Sequence, residues 1–283
     1  MNKTIKIKLL ADKIRRDIVQ MIGCNGQVGH LGGSCSSAEI VASLYGGVLR
    51  FKPDDPEWEE RDKFIYSKGH AAIAQYAAMA EVGYFRREEL WKVKELGSML
   101  QGHPDRLRTP GIEAGTGSLG QGLSIAVGMA LAMKLDRRHD SSVYCVMGDG
   151  EMAEGQIWEA VMAAVNFKLD NLIGIIDRNA MQATGFIKDR FNTNPLAEKW
   201  AGFGWFVMEI DGHDVNAILD ALDKAKSEHG KPSVIIANTV KGKGIDFAEN
   251  QAAFHNGALT KEQYNAAISQ LDNRIAELSE SIG

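Results

Sequence analysis

Two short apolar runs constrain this chain more than anything else in it. Val143–Met147 (Val-Tyr-Cys-Val-Met) and Leu172–Ile176 (Leu-Ile-Gly-Ile-Ile) lack polar alternation, and each is short for a buried helix. Such runs read as strands covered on both faces, as in a parallel sheet. Between them Ile157, Val161, Ala164 and Val165 recur at helical spacing, which supplies the crossover that parallel strands require. Two more runs, 206–210 and 234–237, flank a helical pattern over 214–227. Amphipathic helices are expected over 3–22 and over about 260–280, the latter centred on Glu262 to Leu278. The expected fold is α/β: a doubly wound, mainly parallel sheet with helices on both faces, forming one domain over residues 1–283.

In open parallel sheets, ligands bind beyond the carboxyl ends of the strands. The first run ends in Gly148-Asp149-Gly150, and the second delivers Asn179 just past its end. Two glycines let the backbone turn sharply and bring amide groups and a carboxylate close to a ligand. One anionic and one neutral oxygen suit Mg²⁺ or Ca²⁺, which share their remaining positions with water and phosphate oxygens. Free amides at Gly150 and the helix beyond it favour a diphosphate. A plain turn and a loop asparagine are the bland alternative. The strand–helix–strand context weighs against it.

Three Gly-His pairs precede helices or turns: Gly29-His30, Gly69-His70 and Gly102-His103, the last followed by Pro104. Each histidine, taken alone, reads equally as a loop or helix-start residue. Three together near an anionic site suit proton transfer at neutral pH. Ser36 and Ser37 are placed to cap a helix running through Leu49. Gly115, Gly117 and Gly120 satisfy Gly-x-Gly-x-x-Gly, but the segment before them is polar and Pro-broken, and a dinucleotide fingerprint must follow a strand. Lys241 follows the last strand on the expected binding edge; a surface lysine is the ordinary reading. His213 is expected to be structural and Asp214 to be an N-cap. Glu154 reads as a first-turn acid favoured by the helix dipole.

A net charge of −5 gives no support for nucleic-acid binding. No apolar run approaches the roughly 18 residues of a membrane span, and the apolar part of the basic N-terminus is too short for a secretory signal. Cys24, Cys35 and Cys145 form neither an even framework nor a metal-type pair. Reduced thiols and a cytoplasmic location are expected, with Cys145 packed inside its strand.

Gly148-Asp149-Gly150 with Asn179 resembles the thiamine diphosphate motif. The words Ser67-Lys68-Gly69-His70-Ala71, Gly102-His103-Pro104, Thr116-Gly117-Ser118-Leu119-Gly120-Gln121-Gly122 and Lys241-Gly242-Lys243-Gly244 resemble the N-terminal half of transketolase. The likeness covers nearly the whole chain and implies a thiamine diphosphate-binding fold. It also implies that Asp149, Asn179 and the Met181 carbonyl hold Mg²⁺ (or Ca²⁺ or Mn²⁺). Gly150, Lys241, His70 and His255 would meet the diphosphate, and Gly117, Ser118 and Leu119 would line the thiazolium. His30, His103 and His255 would meet substrate hydroxyls or move protons, with His70 near the reaction centre. Glu154 would couple two cofactor sites across a dimer interface. Two departures stand out: Gly33 replaces a small polar residue, and Phe254-His255-Asn256-Gly257 stands where relatives often carry Trp-His-Gly.

The implied reaction moves a two-carbon ketol unit from a ketose phosphate to an aldose, within pentose phosphate or related carbohydrate metabolism. Full transketolases are more than twice as long, and this chain ends in a finished helix and Ser-Ile-Gly. The expectation is a split enzyme in which this chain is the N-terminal subunit. The pyrimidine-binding half and its activating glutamate would come from a separate chain, in an α2β2 heterotetramer. Three alternatives stay open. One is a split enzyme for a branched or sulfonated sugar phosphate. Another is the α subunit of a thiamine-dependent 2-oxoacid dehydrogenase, which the Gly-His words disfavour. The third is a non-catalytic, cofactor-binding regulatory paralogue, against which both metal side chains and four histidines argue.

Overall fold

The computed structural model describes residues 3–138 and 140–281. Five parallel strands form the central sheet: β1 (Lys63–Tyr66), β2 (Val143–Gly148), β3 (Leu172–Arg178), β6 (Phe206–Asp211) and β7 (Ser233–Asn238). Their spatial order is β1-β2-β3-β7-β6. β4 (Met181–Gln182) and β5 (Gly185–Phe186) make a small separate hairpin just past β3. The four expected strands are present. β1 is the additional one; it pairs Phe64 with Tyr144 and Tyr66 with Val146. Its four residues follow Arg61-Asp62, so its apolar run was too brief to register as a strand in the sequence.

Side-chain alternation along the strands separates the core into two layers. Phe64, Tyr66, Tyr144, Val146, Ile173, Ile175 and Ile235 belong to one cluster. It is completed by α1 (Lys3–Ile22), α3 (Ala38–Ser43), α4 (Ala72–Glu81), α9 (Val215–Ser227) and α10 (Lys261–Glu280). Ile65, Val143, Cys145, Met147, Leu172, Ile176, Val234 and Ile236 face the opposite way. There they meet α5 (Gln121–Leu135), α6 (Gly155–Asn166) and α8 (Leu196–Gly202). Every residue of β2 except Gly148 is buried, which is why the sequence shows a continuous apolar run instead of alternation.

All five strands end at one edge. The chain passes from β3 over β7 to the outer strand β6 and then returns, so the order reverses between β3 and β7. The segment 67–70 after β1, Asp149 after β2, Asn179 after β3 and Lys241 after β7 therefore meet near this switch point. A short helix, α7 (Ile187–Arg190), follows the hairpin. No helix of the described residues is long and apolar enough to cross a membrane.

Ser36 and Ser37 do not cap a helix that starts after them. Helix α2 (Leu31–Ser36) already contains Ser36, and Ser37 makes no side-chain cap bond to α3. The Ser36 hydroxyl instead donates to Asp177, and that of Ser37 pairs with Tyr66. Asp214 does cap α9, accepting from Asn216 N–H at 2.9 Å. The glycine-rich segment 115–120 follows an irregular stretch, not a strand. Cys35 and Cys145 are buried and Cys24 is exposed, all as free thiols.

Trp200 is fully buried between Trp158 and Trp205, with the Trp205 ring edge-on at 4.7 Å. Trp200→Ala should lower the unfolding free energy by about 3–5 kcal/mol, and Trp200→Phe by less. Denaturant titration followed by circular dichroism measures both.

Candidate active site

A cavity of about 440 Å³ opens at the carboxyl edge of the sheet. His30, His70, Gly117, Leu119, Asp149, Gly150, Asn179, Met181, Lys241 and His255 all line it. Ten residues expected from the sequence thus converge from seven segments. His103 is exposed at its border: a Cβ added to Gly117 (φ +152°) would lie 2.7 Å from the His103 ring, so only glycine lets the two segments approach. Ser118 is exposed and does not line the cavity. Glu154 is also exposed, packed against Gly120 at the start of α5.

The oxygen-bearing side chains are held by the backbone. Asp149 accepts from Gly150 N–H at 2.9 Å and from Ala180 N–H at 2.6 Å. Asn179 Oδ1 accepts from Met181 N–H at 3.1 Å, while its Nδ2 donates to Asp177 at 3.2 Å. Ala180, between them, sits at φ +62°, a strained conformation for a side chain-bearing residue. Burial pushes the Asp149 carboxyl up to about 7, with Asp177 adding to the rise. It is a buried acid short of positive charge. A hard divalent cation would supply what it lacks, and carboxylate, amide and peptide oxygens are the donors such a cation takes. Among the described residues no three His, Cys, Asp or Glu side chains gather as a metal cluster.

Lys241 is 1% exposed. Its ammonium reaches the Met181 carbonyl at 3.3 Å and His255 Nδ1 at 2.8 Å. Burial, and then repulsion from Lys68, lower its pKa to about 8. The rings of His30, His70 and His255 stand 5.0–5.4 Å apart, centroid to centroid. Burial foremost, then neighbouring cations and imidazoles, hold His30 and His255 down to about 4 and His70 down to about 2. All three are neutral at physiological pH. An antiparallel bridge between Gly29 and Gly257 fixes the His30 and His255 segments side by side.

Three supporting residues were not singled out in the sequence. Asp177, fully buried, accepts from Lys68, Ser36, Asn179 and Thr239. Lys68 also donates to the Gly33 carbonyl at 2.6 Å. Glu151, 2% exposed, takes Gly120 N–H at 2.8 Å, Gly148 N–H at 3.0 Å and the Ser67 hydroxyl. Glu151 thereby pins the glycine-rich loop to the end of β2. Its adjacency to Gly150 was the one available signal.

The fold and site together define a thiamine diphosphate-type domain, and its relatives say of which kind. A family model described as the transketolase thiamine diphosphate binding domain matches residues 7–275. The chain belongs to the transketolase family, as its N-terminal, diphosphate-binding part. A 6-deoxy-6-sulfo-D-fructose transketolase subunit from Clostridium sp. (strain MSTE9) is 46% identical over 268 residues, 95% of this chain and 97% of that protein. An apulose-4-phosphate transketolase subunit from Phocaeicola vulgatus is 39% identical over 272 residues, covering 96% of each. The solved transketolase from Leishmania mexicana superposes with a TM-score of 0.85 at 28% identity, over 99% of this chain but 46% of that one. The chain thus spans about half the length of the solved structures it matches.

The neutral imidazoles set a pH dependence. Below about 6.5 the unfolded chain protonates histidines that the folded chain keeps neutral, so stability falls with pH from 6.5 toward 4. Asp149 works oppositely, because its folded form takes up a proton near 7 that the unfolded form refuses until about 4. His70→Gln should therefore flatten the loss of stability over this window, and Asp149→Asn should steepen it. Urea unfolding of the ligand-free chain at stepped pH reads both slopes.

Proposed function

We propose that this chain, a single diphosphate-binding domain over residues 1–283, is the N-terminal subunit of a two-chain transketolase. It would work with a pyrimidine-binding chain in a cytoplasmic α2β2 heterotetramer. The observation that carries this reading is the convergence of a cation-poor buried carboxylate, a buried lysine and three close imidazoles on one cavity. Two relatives of matching length bear the name of transketolase subunits. Large exposed apolar side chains also lie in segments that lead to the cavity's border: Val28 before His30, Leu96 and Leu107 around His103, Phe186 at the end of the hairpin and Phe191 past it. A second chain seated on that border would cover them.

Thiamine diphosphate, when bound, supplies the carbanion stabilisation that ketol transfer needs. Asp149, the Asn179 amide oxygen and the Met181 carbonyl would hold Mg²⁺. Lys241, His70 and His255 would bind the diphosphate oxygens, whereas the Gly150 N–H, expected to be free, is taken by the Asp149 carboxylate. The Lys241 ammonium already sits on the Met181 carbonyl, so a metal there would displace it toward phosphate. Gly117 and Leu119 would carry the thiazolium along the glycine-rich loop, with Ser118 between them turned out of the cavity. Neutral His30 and His255, with His103 at the border, would accept and return protons at substrate hydroxyl oxygens. Glu154, exposed beside Gly120, would face a second copy of the chain. Substrates would be a ketose phosphate donor and an aldose acceptor in pentose phosphate metabolism. A second reading, a sulfonated or branched sugar substrate, is favoured by the relatives named for 6-deoxy-6-sulfo-D-fructose and apulose 4-phosphate.

Co-expression with a C-terminal transketolase chain should give a complex that transfers ketol units only with Mg²⁺, thiamine diphosphate and both chains. Failure to form any complex would contradict the two-chain reading. Donor specificity separates the two substrate readings: kcat/KM for 6-deoxy-6-sulfo-D-fructose against fructose 6-phosphate. Asp149→Ala should abolish Mg²⁺-dependent cofactor binding, measured by calorimetry, while the variant still folds.

A further inference from the structure

We propose that His213, which lies outside the cavity, is a positioning residue for Lys241. The proposal rests on reading Lys241 as a diphosphate contact. His213 Nε2 accepts the backbone N–H of Val240, the residue before Lys241, at 2.9 Å. A nitrogen that accepts carries no proton, so the neutral ring bears its hydrogen on Nδ1. That nitrogen faces Glu39 Oε2 at 3.0 Å and donates to it. Glu39 is held in turn by the buried Arg15 guanidinium, which also pairs with Asp12 at 3.1 Å. The carboxylate thereby fixes the imidazole tautomer that the loop requires.

The loop after β7 is anchored on both sides of the lysine. Gly242 N–H reaches the Gly32 carbonyl at 3.0 Å, and the Lys241 carbonyl accepts from Asn250 N–H at 2.9 Å. Those bonds are backbone to backbone. At Val240 the anchor is the His213 side chain, so the support of the peptide entering Val240, one residue before Lys241, depends on residue identity. Lys241 must cross a buried path to reach Met181 and His255. Small shifts at its backbone displace the ammonium from both.

The test titrates thiamine diphosphate with Mg²⁺ into the assembled two-chain enzyme and reads Kd by calorimetry. His213→Phe leaves Val240 N–H without its acceptor and should raise Kd about tenfold. His213→Gln, whose amide oxygen can accept from Val240, should stay within about twofold of the parent. If His213→Phe does not fold, His213→Asn, too short to reach Val240, takes its place with the same expected loss. In a Lys241→Met background the His213 substitution should add nothing further, because its effect runs through the lysine. An additive loss in that background, or no rescue by glutamine, overturns the positioning role. No change in Kd on Lys241→Met alone overturns the underlying assignment of Lys241 instead.

Discussion

The buried pair of Asp177 and Lys68 is the interaction on which the rest of this edge depends. Both side chains are almost wholly out of water, at 0% and 3% exposure. Taking two charges into a protein interior costs several kcal/mol per ion before their attraction returns anything. Here the remaining capacity is filled. Ser36, Asn179 and Thr239 complete the acceptor sites of Asp177, and the Gly33 carbonyl takes a second Lys68 proton. Burial alone would raise the Asp177 pKa and lower that of Lys68. Their mutual attraction reverses both shifts, and the pair stays ionised. Through it the ends of β1, β3 and β7 and helix α2 are locked in one arrangement. The Asn179 amide is fixed with its nitrogen toward Asp177 and its oxygen toward Met181 N–H and the cavity rim.

That locked arrangement explains the odd electrostatics in front of it. With Asp177 satisfied, Asp149 is left as the carboxylate lacking a cation, and Lys241 as the cation pressed toward neutrality. The three imidazoles have lost their charge to burial and to these neighbours. The site has the charge balance of something made to receive a metal and an anion together. It also opens to the surface, and the chain matches 46% of a solved transketolase. Half of a cofactor site, open to the surface, is the simplest physical description of the whole.

Much of this was legible in the sequence, and the gaps have physical reasons. The runs at β2 and β3 were readable because a strand buried on both faces has no polar positions. Gly148-Asp149-Gly150 and Asn179 were readable because the crossover forces both strand ends to the same edge. His30, His70 and His255 came from words resembling a known family, and the structure places them within about 5 Å of one another. Asp177 was invisible as a node because its partners lie up to 141 residues away, where no local pattern shows them. Glu151 carried no local signal beyond its place next to Gly150, because its partners at Ser67 and Gly120 lie far away in sequence. Ser36 and Ser37 looked like caps, since capping is what local sequence can express, yet their hydroxyls are taken by Asp177 and Tyr66 from across the sheet. The short strand β1 fell below the length at which an apolar run can be distinguished.

If the proposed function holds, this chain alone grips the diphosphate–metal end of the cofactor, and the thiazolium is gripped only once the partner is seated. The direct measurement compares binding of thiamine diphosphate and inorganic diphosphate, each with Mg²⁺, to the chain alone and to the chain with its partner. The lone chain should bind the two with affinities within about threefold, under 1 kcal/mol of discrimination, and preference for thiamine diphosphate should emerge only with the partner. A lone chain that already binds thiamine diphosphate far more tightly than inorganic diphosphate would contradict that reading.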